Sequence, residues 1–151
     1  MKKIVFIIVA LLIAVYASAQ VPKNGDTGAK IVSNFTNVND GMRFVVQDIL
    51  FQLDLVPDVY DEDLGYIVTE RFFYDKSDTW CSCQFVFIFM ATPEDVVVKI
   101  TGRDYENLTN SNMHYGPLEY KKGGKAEEAY WKCLTDMANK IPHKSLSYYR
   151  K

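Results

Sequence analysis

The run Trp80-Cys81-Ser82-Cys83-Gln84-Phe85-Val86-Phe87-Ile88-Phe89-Met90-Ala91 constrains the fold more than any other stretch of the chain. Read with a period of two, Cys81, Cys83, Phe85, Phe87, Phe89 and Ala91 share one face. Trp80, Ser82, Gln84, Val86, Ile88 and Met90 share the other. Both faces are largely apolar, as in a central strand that is at least partly covered on each side. Burying three aligned phenylalanine rings, at about 1.5–3 kcal/mol each, makes the Cys81-to-Ala91 side the core face. Helical spacing would scatter those rings around an axis. The run is also bounded by turn residues, Asp78-Thr79 before it and Thr92-Pro93-Glu94-Asp95 after it, so it reads as a strand and not as a buried helix.

The chain opens with Met1-Lys2-Lys3, an apolar run from Ile4 to Val15, and Ala17-Ser18-Ala19 ahead of Gln20. A charged start, an apolar stretch too short to cross a bilayer and an A-x-A site, in that order, predict a secretory signal peptide over residues 1–19. No cysteine lies at the cleavage point to carry a lipid, so the mature protein is expected to be secreted or periplasmic, with no membrane insertion after cleavage. Cleavage removes two lysines from 17 basic residues and none of the 19 acidic ones, which takes the formal charge from −2 to −4. An acidic chain whose Lys and Arg are scattered, apart from Lys121-Lys122-Lys125 and Arg150-Lys151, is not expected to bind nucleic acid.

Residues 20–29, rich in Gly, Asp, Asn and Lys, predict a flexible leader, and Lys30 to Phe35 a short strand at a sheet edge. Asn39 or Asp40 can cap the helix that follows. In that helix Met42, Val45, Val46, Ile49, Leu50 and Leu53 form one apolar stripe, and it ends before Pro57. Asp58 to Tyr60, the turn Asp61 to Gly65 and Tyr66 to Tyr74 predict a hairpin; Val96 to Thr101 predicts the strand after the central one. Asp104 to Gly124 is polar, irregular and long for a structureless connection. Lys125 to Ile141 predicts a closing helix with Ala126, Ala129, Tyr130, Cys133, Leu134, Met137 and Ile141 on its buried stripe, and residues 143–151 a loosely docked tail.

These elements predict a single α+β domain over residues 30–142: a two-layer sandwich with a four- to five-stranded, mainly antiparallel sheet and two helices on one face. The order of strand, helix, four strands and helix resembles TATA-binding-protein-like domains, in particular secreted bacterial domains of that fold with no assigned activity. The residues that carry the likeness are the signal ending at Ala19-Gln20, the capped first helix, the stretch Asp61-Glu62-Asp63-Leu64-Gly65-Tyr66-Ile67-Val68-Thr69 and the closing helix. The long Asp104 to Gly124 connection departs from that pattern. The resemblance implies fold and compartment and assigns no chemistry.

Three cysteines in an exported chain invite a disulfide. Cys81 and Cys83 point the same way from one strand and cannot join without strain, whereas Cys133 on the closing helix could reach Cys83, or Cys81; three buried free thiols are the competing expectation. Neither His114 nor His143 completes a zinc pattern with the Cys81-x-Cys83 pair, and no cofactor or metal is expected. A cysteine hydrolase would need a thiolate with a histidine base, and Cys83 points into the core. The acids Asp58, Asp61, Glu62 and Asp63 lack the alternate spacing of a calcium loop and read as a solvated turn. Asn34-Phe35-Thr36 and Asn107-Leu108-Thr109 fit the N-glycosylation pattern. On the first helix, Phe44 and Phe51 are seven residues apart and opposite the core stripe, with Leu55 near the same line, which predicts a contact surface for a protein partner or a second copy; the competing expectation is that the tail with Tyr148 and Tyr149, or the leader, folds over them. The expectation is therefore an exported, non-catalytic binding or interaction module of the cell envelope. The alternative is a small secreted hydrolase or redox protein using Cys81, Cys83 and Cys133.

Overall fold

The computed structural model describes residues 20–75, 78–109 and 112–150, without the side chains of 75–81 and 106–114. Its strands are β1 (Gly28–Ser33), β2 (Pro57–Asp61), β3 (Tyr66–Thr69), β4 (Phe72–Asp75), β5 (Asp78–Ala91), β6 (Val96–Thr109), β7 (Asn112–Gly116) and β8 (His143–Tyr149). Helix α1 (Val38–Phe44) continues into a π-helical segment (Val45–Leu50) and a 3-10 turn (Phe51–Leu53), and α2 spans Lys125–Lys140. The sheet runs β2-β3-β5-β6-β1-β8, with β4 beside β5 and β7 beside β6, and every pairing is antiparallel.

The β5–β6 hairpin is the spine. Its turn is closed by Thr92, whose backbone N–H donates to the Asp95 carbonyl at 2.8 Å and whose hydroxyl accepts from the Asp95 N–H at 3.0 Å. Phe85, Phe87 and Phe89 are buried on the core face as the alternation requires, with Phe87 between Ile67 of β3 and Ile100 of β6. Cys83 joins them, and both helices pack there: Met42, Val45, Ile49 and Leu50 from the first, Tyr130, Leu134 and Met137 from α2. Trp131, which falls off the expected stripe, is also buried, its ring edge-on to Tyr120 at 5.5 Å and Tyr148 at 5.9 Å.

The α+β class and the antiparallel sheet with two helices hold, but the described residues form eight strands where four to five were expected. Three come from segments without a clean period. The expected tail is β8, and it pairs with β1, so β1 is an interior strand and not an edge. The polar Asp104 to Gly124 stretch holds the end of β6 and the partner strand β7. The long strand expected from Tyr66 to Tyr74 is broken at Glu70-Arg71 into β3 and β4. The expected leader is also tied in: β1 starts at Gly28, the Thr27 N–H donates to the Tyr149 carbonyl at 2.8 Å, and the Gly25 N–H donates to the Tyr120 carbonyl at 2.9 Å. Sheet ladders supply partners to polar segments whatever their side-chain pattern, which is why pattern alone did not find them.

Two details set the edge geometry. The helix is capped by Asn37 and not by Asn39 or Asp40: the Asn37 side chain accepts from the Asp40 N–H at 2.9 Å. Gly65, at φ +61, turns β2 into β3 with its carbonyl accepting from the Phe89 N–H at 2.8 Å, and a Cβ there would lie 2.6 Å from the Phe89 carbonyl oxygen.

Candidate functional site

The expected line Phe44, Phe51 and Leu55 does not exist as a surface. Leu55 is buried in the core, and Phe44 is half-buried with its ring 5.4 Å from Phe35, leaving Phe51, 81% exposed, as the outward member. The cause is the π-helical segment from Val45 to Leu50. Bonds from i to i+5 widen the turn and reduce the rotation per residue, so seven residues no longer return the chain to the same side. Asp54 then adopts a left-handed conformation, φ 56 and ψ 37, and the Leu55 N–H donates back to the Leu50 carbonyl at 3.0 Å, which folds Leu55 inward.

Phe51 instead begins a different surface. The chain leaves the helix at Phe51, passes Val56 (61% exposed), forms the terminal strand β2 with Val59 and Tyr60 exposed, and turns at Leu64 (73% exposed). Five large apolar side chains are thus exposed in and around the outermost described strand: Phe51 on the 3-10 turn, Val56 just before β2, Val59 and Tyr60 on its opposite faces, and Leu64 in the turn after it. Val56 is fixed to the end of β3 by paired bonds: its N–H donates to Glu70 Oε1 at 3.1 Å, and the Glu70 N–H donates to its carbonyl at 2.9 Å. Asp58, Asp61, Glu62 and Asp63 share this edge. Two of them serve locally: Asp61 Oδ1 accepts from the Leu64 N–H at 2.9 Å, and Glu62 accepts from the Tyr60 hydroxyl at 3.2 Å, while Asp58 Oδ2 accepts from Gln84 Nε2 of β5 at 3.4 Å. Burial, and then that hydrogen bond, raise the Tyr60 phenol above its ordinary value, while Arg43 of α1 acts in the opposite sense. Among the described residues no three His, Cys, Asp or Glu side chains converge as a metal site.

Cys83 and Cys133 are free thiols, so the expected bridge between them is not formed here. Tyr130, one turn ahead of Cys133, packs at 5.9 Å from Phe72, the residue opposite Cys83 in β4, so α2 presents a ring at that point of the sheet. Desolvation pushes the Cys83 thiol up to about 12, with the neighbouring Cys133 adding to it, and burial pushes Cys133 up to about 11. Both remain protonated at neutral pH, the reverse of what a nucleophile needs. The side chains of Cys81, His114 and Asn107 lie outside the described residues. His143 sits at the start of β8 with Nδ1 2.6 Å from the Ile141 carbonyl, and Asn34 is exposed.

The sheet face opposite the helices carries Val68, Val86 and Val97, all buried, inside a polar frame. Arg71 donates to the Ser82 hydroxyl at 2.8 Å, Arg103 donates to the Tyr66 hydroxyl at 2.9 Å, and Gln84 donates to the Thr69 carbonyl at 3.0 Å. These side chains are engaged with one another, so this face offers fewer open groups than the β2 edge. The residues missed in the sequence, Val56, Tyr60 and Leu64, had one visible signal: Leu64 is an apolar residue inside an otherwise acidic turn. Comparison with known protein families and with curated proteins finds no match to this chain.

Proposed function

We propose that the protein is an exported, non-catalytic interaction module of the cell envelope, related in architecture to the TATA-binding-protein-like secreted domains, and that it docks a protein partner along its β2 edge. The observation that carries this reading is the set of exposed apolar side chains between Phe51 and Leu64, on and around a strand, β2, that has no outer neighbour among the described residues. An unpaired edge supplies main-chain donors and acceptors for an added strand, and the flanking side chains supply specificity. The four acids along it favour an apolar, basic partner segment. They disfavour a second copy through the same edge, which would set acid against acid. A hydrolase or redox alternative finds no support in Cys83 and Cys133, whose surroundings hold them as thiols.

The test is capture from envelope extract with wild-type and Phe51→Ser protein as bait. A partner retained by the wild type should be lost by the variant while the melting temperature stays unchanged, since Phe51 is exposed. Equal capture by both proteins would remove the β2 edge as the docking surface.

A further inference from the structure

The fold gathers cations that the sequence keeps apart. Lys121 and Lys122, from the segment before α2, and Arg150, after β8, line one cleft of about 500 Å³ together with Asn24, Gly25 and Tyr120. Lys23 lies in the adjoining cleft, with Arg150 forming the wall between the two. In a chain of formal charge −2, this end of the molecule carries a local excess of positive charge. Among the described residues the ion pairs are Arg103–Asp104, Lys132–Asp136 and Lys144–Asp95, and none involves these four cations. Among the described residues, two carboxylates line these clefts. Asp26 is turned to the Lys23 N–H at 2.7 Å, and Glu119 lines the cleft but is exposed.

The cleft is also built on fixed backbone. The Gly25 N–H donates to the Tyr120 carbonyl at 2.9 Å, the Tyr120 N–H donates to the Asp26 carbonyl at 2.9 Å, and the Lys122 N–H donates to Asn24 Oδ1 at 3.0 Å. Arg150 donates to the Asn24 carbonyl, and its guanidinium lies flat on Gly25, where a Cβ would meet it at 2.9 Å and where φ is +86. One guanidinium held in place and two exposed lysines lining the same cleft are the donor set that a multiply charged oxyanion requires; a single carboxylate would leave part of that charge unmatched.

We propose that this cleft binds a phosphate group, carried either by a lipid headgroup or by a soluble phosphate ester. Inorganic phosphate titrated into the isotopically labelled exported protein at low salt should shift the amides of Gly25, Lys121 and Lys122 along a saturable curve. The double variant Lys121→Gln/Lys122→Gln should weaken apparent affinity at least tenfold, and Lys132→Gln, on the outer face of α2, should not change it. Both cleft lysines are exposed, so the melting temperature should stay constant; Lys121→Gln alone serves if the double variant does not fold. Co-sedimentation with phosphatidylglycerol vesicles but not phosphatidylcholine vesicles, lost in the double variant, assigns the phosphate to a lipid. A phosphate response without vesicle binding assigns it to a soluble ester. Shifts that never saturate, or that are the same in the double variant, overturn the proposal.

Discussion

Replacing Phe87 by alanine tests the organisation of the sheet most directly. The ring is fully buried at the middle of β5, between Ile67 and Ile100 on the neighbouring strands and under both helices. Removing about 150 Å² of buried aromatic surface, at about 25 cal/mol per Å², costs about 4 kcal/mol in transfer free energy. The cavity left behind adds to this if the helices do not settle into it, and Phe→Ala series span about 3–5 kcal/mol. For a domain of this length each kcal/mol lowers the melting temperature by about 4 °C, so the expected drop is about 12–20 °C. Ile88, the next residue, points to the opposite face and is only half-buried, so Ile88→Ala should cost less than half as much. Urea unfolding monitored by circular dichroism, with the same m-value for all three proteins, supplies the comparison. Equal losses for Phe87→Ala and Ile88→Ala, or a Phe87→Ala protein melting within 3 °C of wild type, would refute the one-sided core.

Leu55→Ser should destabilise by about 3 kcal/mol while Phe51→Ser leaves the melting temperature unchanged, because the π-helical segment sends one inward and the other outward; thermal scans of the pair check this. Cys83 ionises near 9.0 when unfolded but near about 12 when folded, and Cys133 near about 11, so their contribution to stability is complete below pH 9 and is lost as pH rises through that window. Denaturant midpoints should accordingly fall with rising pH above 9, and at pH 8 Cys83 should resist alkylation until the protein is unfolded. Gly65→Ala should cost about 2 kcal/mol or more, measured by urea titration, from the left-handed φ and the approach of the Phe89 carbonyl. Intact-mass analysis of the exported protein should give a chain starting at Gln20, and a species retaining Met1 would exclude cleavage after Ala19.

Periodicity carried the parts of the molecule that bury side chains from one contiguous segment. The alternation of Phe85, Phe87 and Phe89 located the central strand and its core face, and the stripe from Met42 to Leu50 located the first helix with its buried side. In both, each residue's surroundings follow from its neighbours two, three or four positions away, so the fold class was legible in the sequence. Phe44, Phe51 and Leu55 show where that reasoning stops: a helix that widens to π pitch changes which residues share a side, and no hydrophobic spacing announces the change. His143 to Tyr149 became a strand because β1 offered it a ladder, a partner 115 positions away at Ile31 and Leu146 being invisible to local pattern although the pairing is fixed in the fold. The cleft of Lys121, Lys122 and Arg150 is decided in the same way. Its charges were legible one by one, but their convergence depends on the leader, the segment before α2 and the C-terminal strand meeting at one end of the sheet, and only tertiary hydrogen bonds such as Gly25 to Tyr120 bring them together.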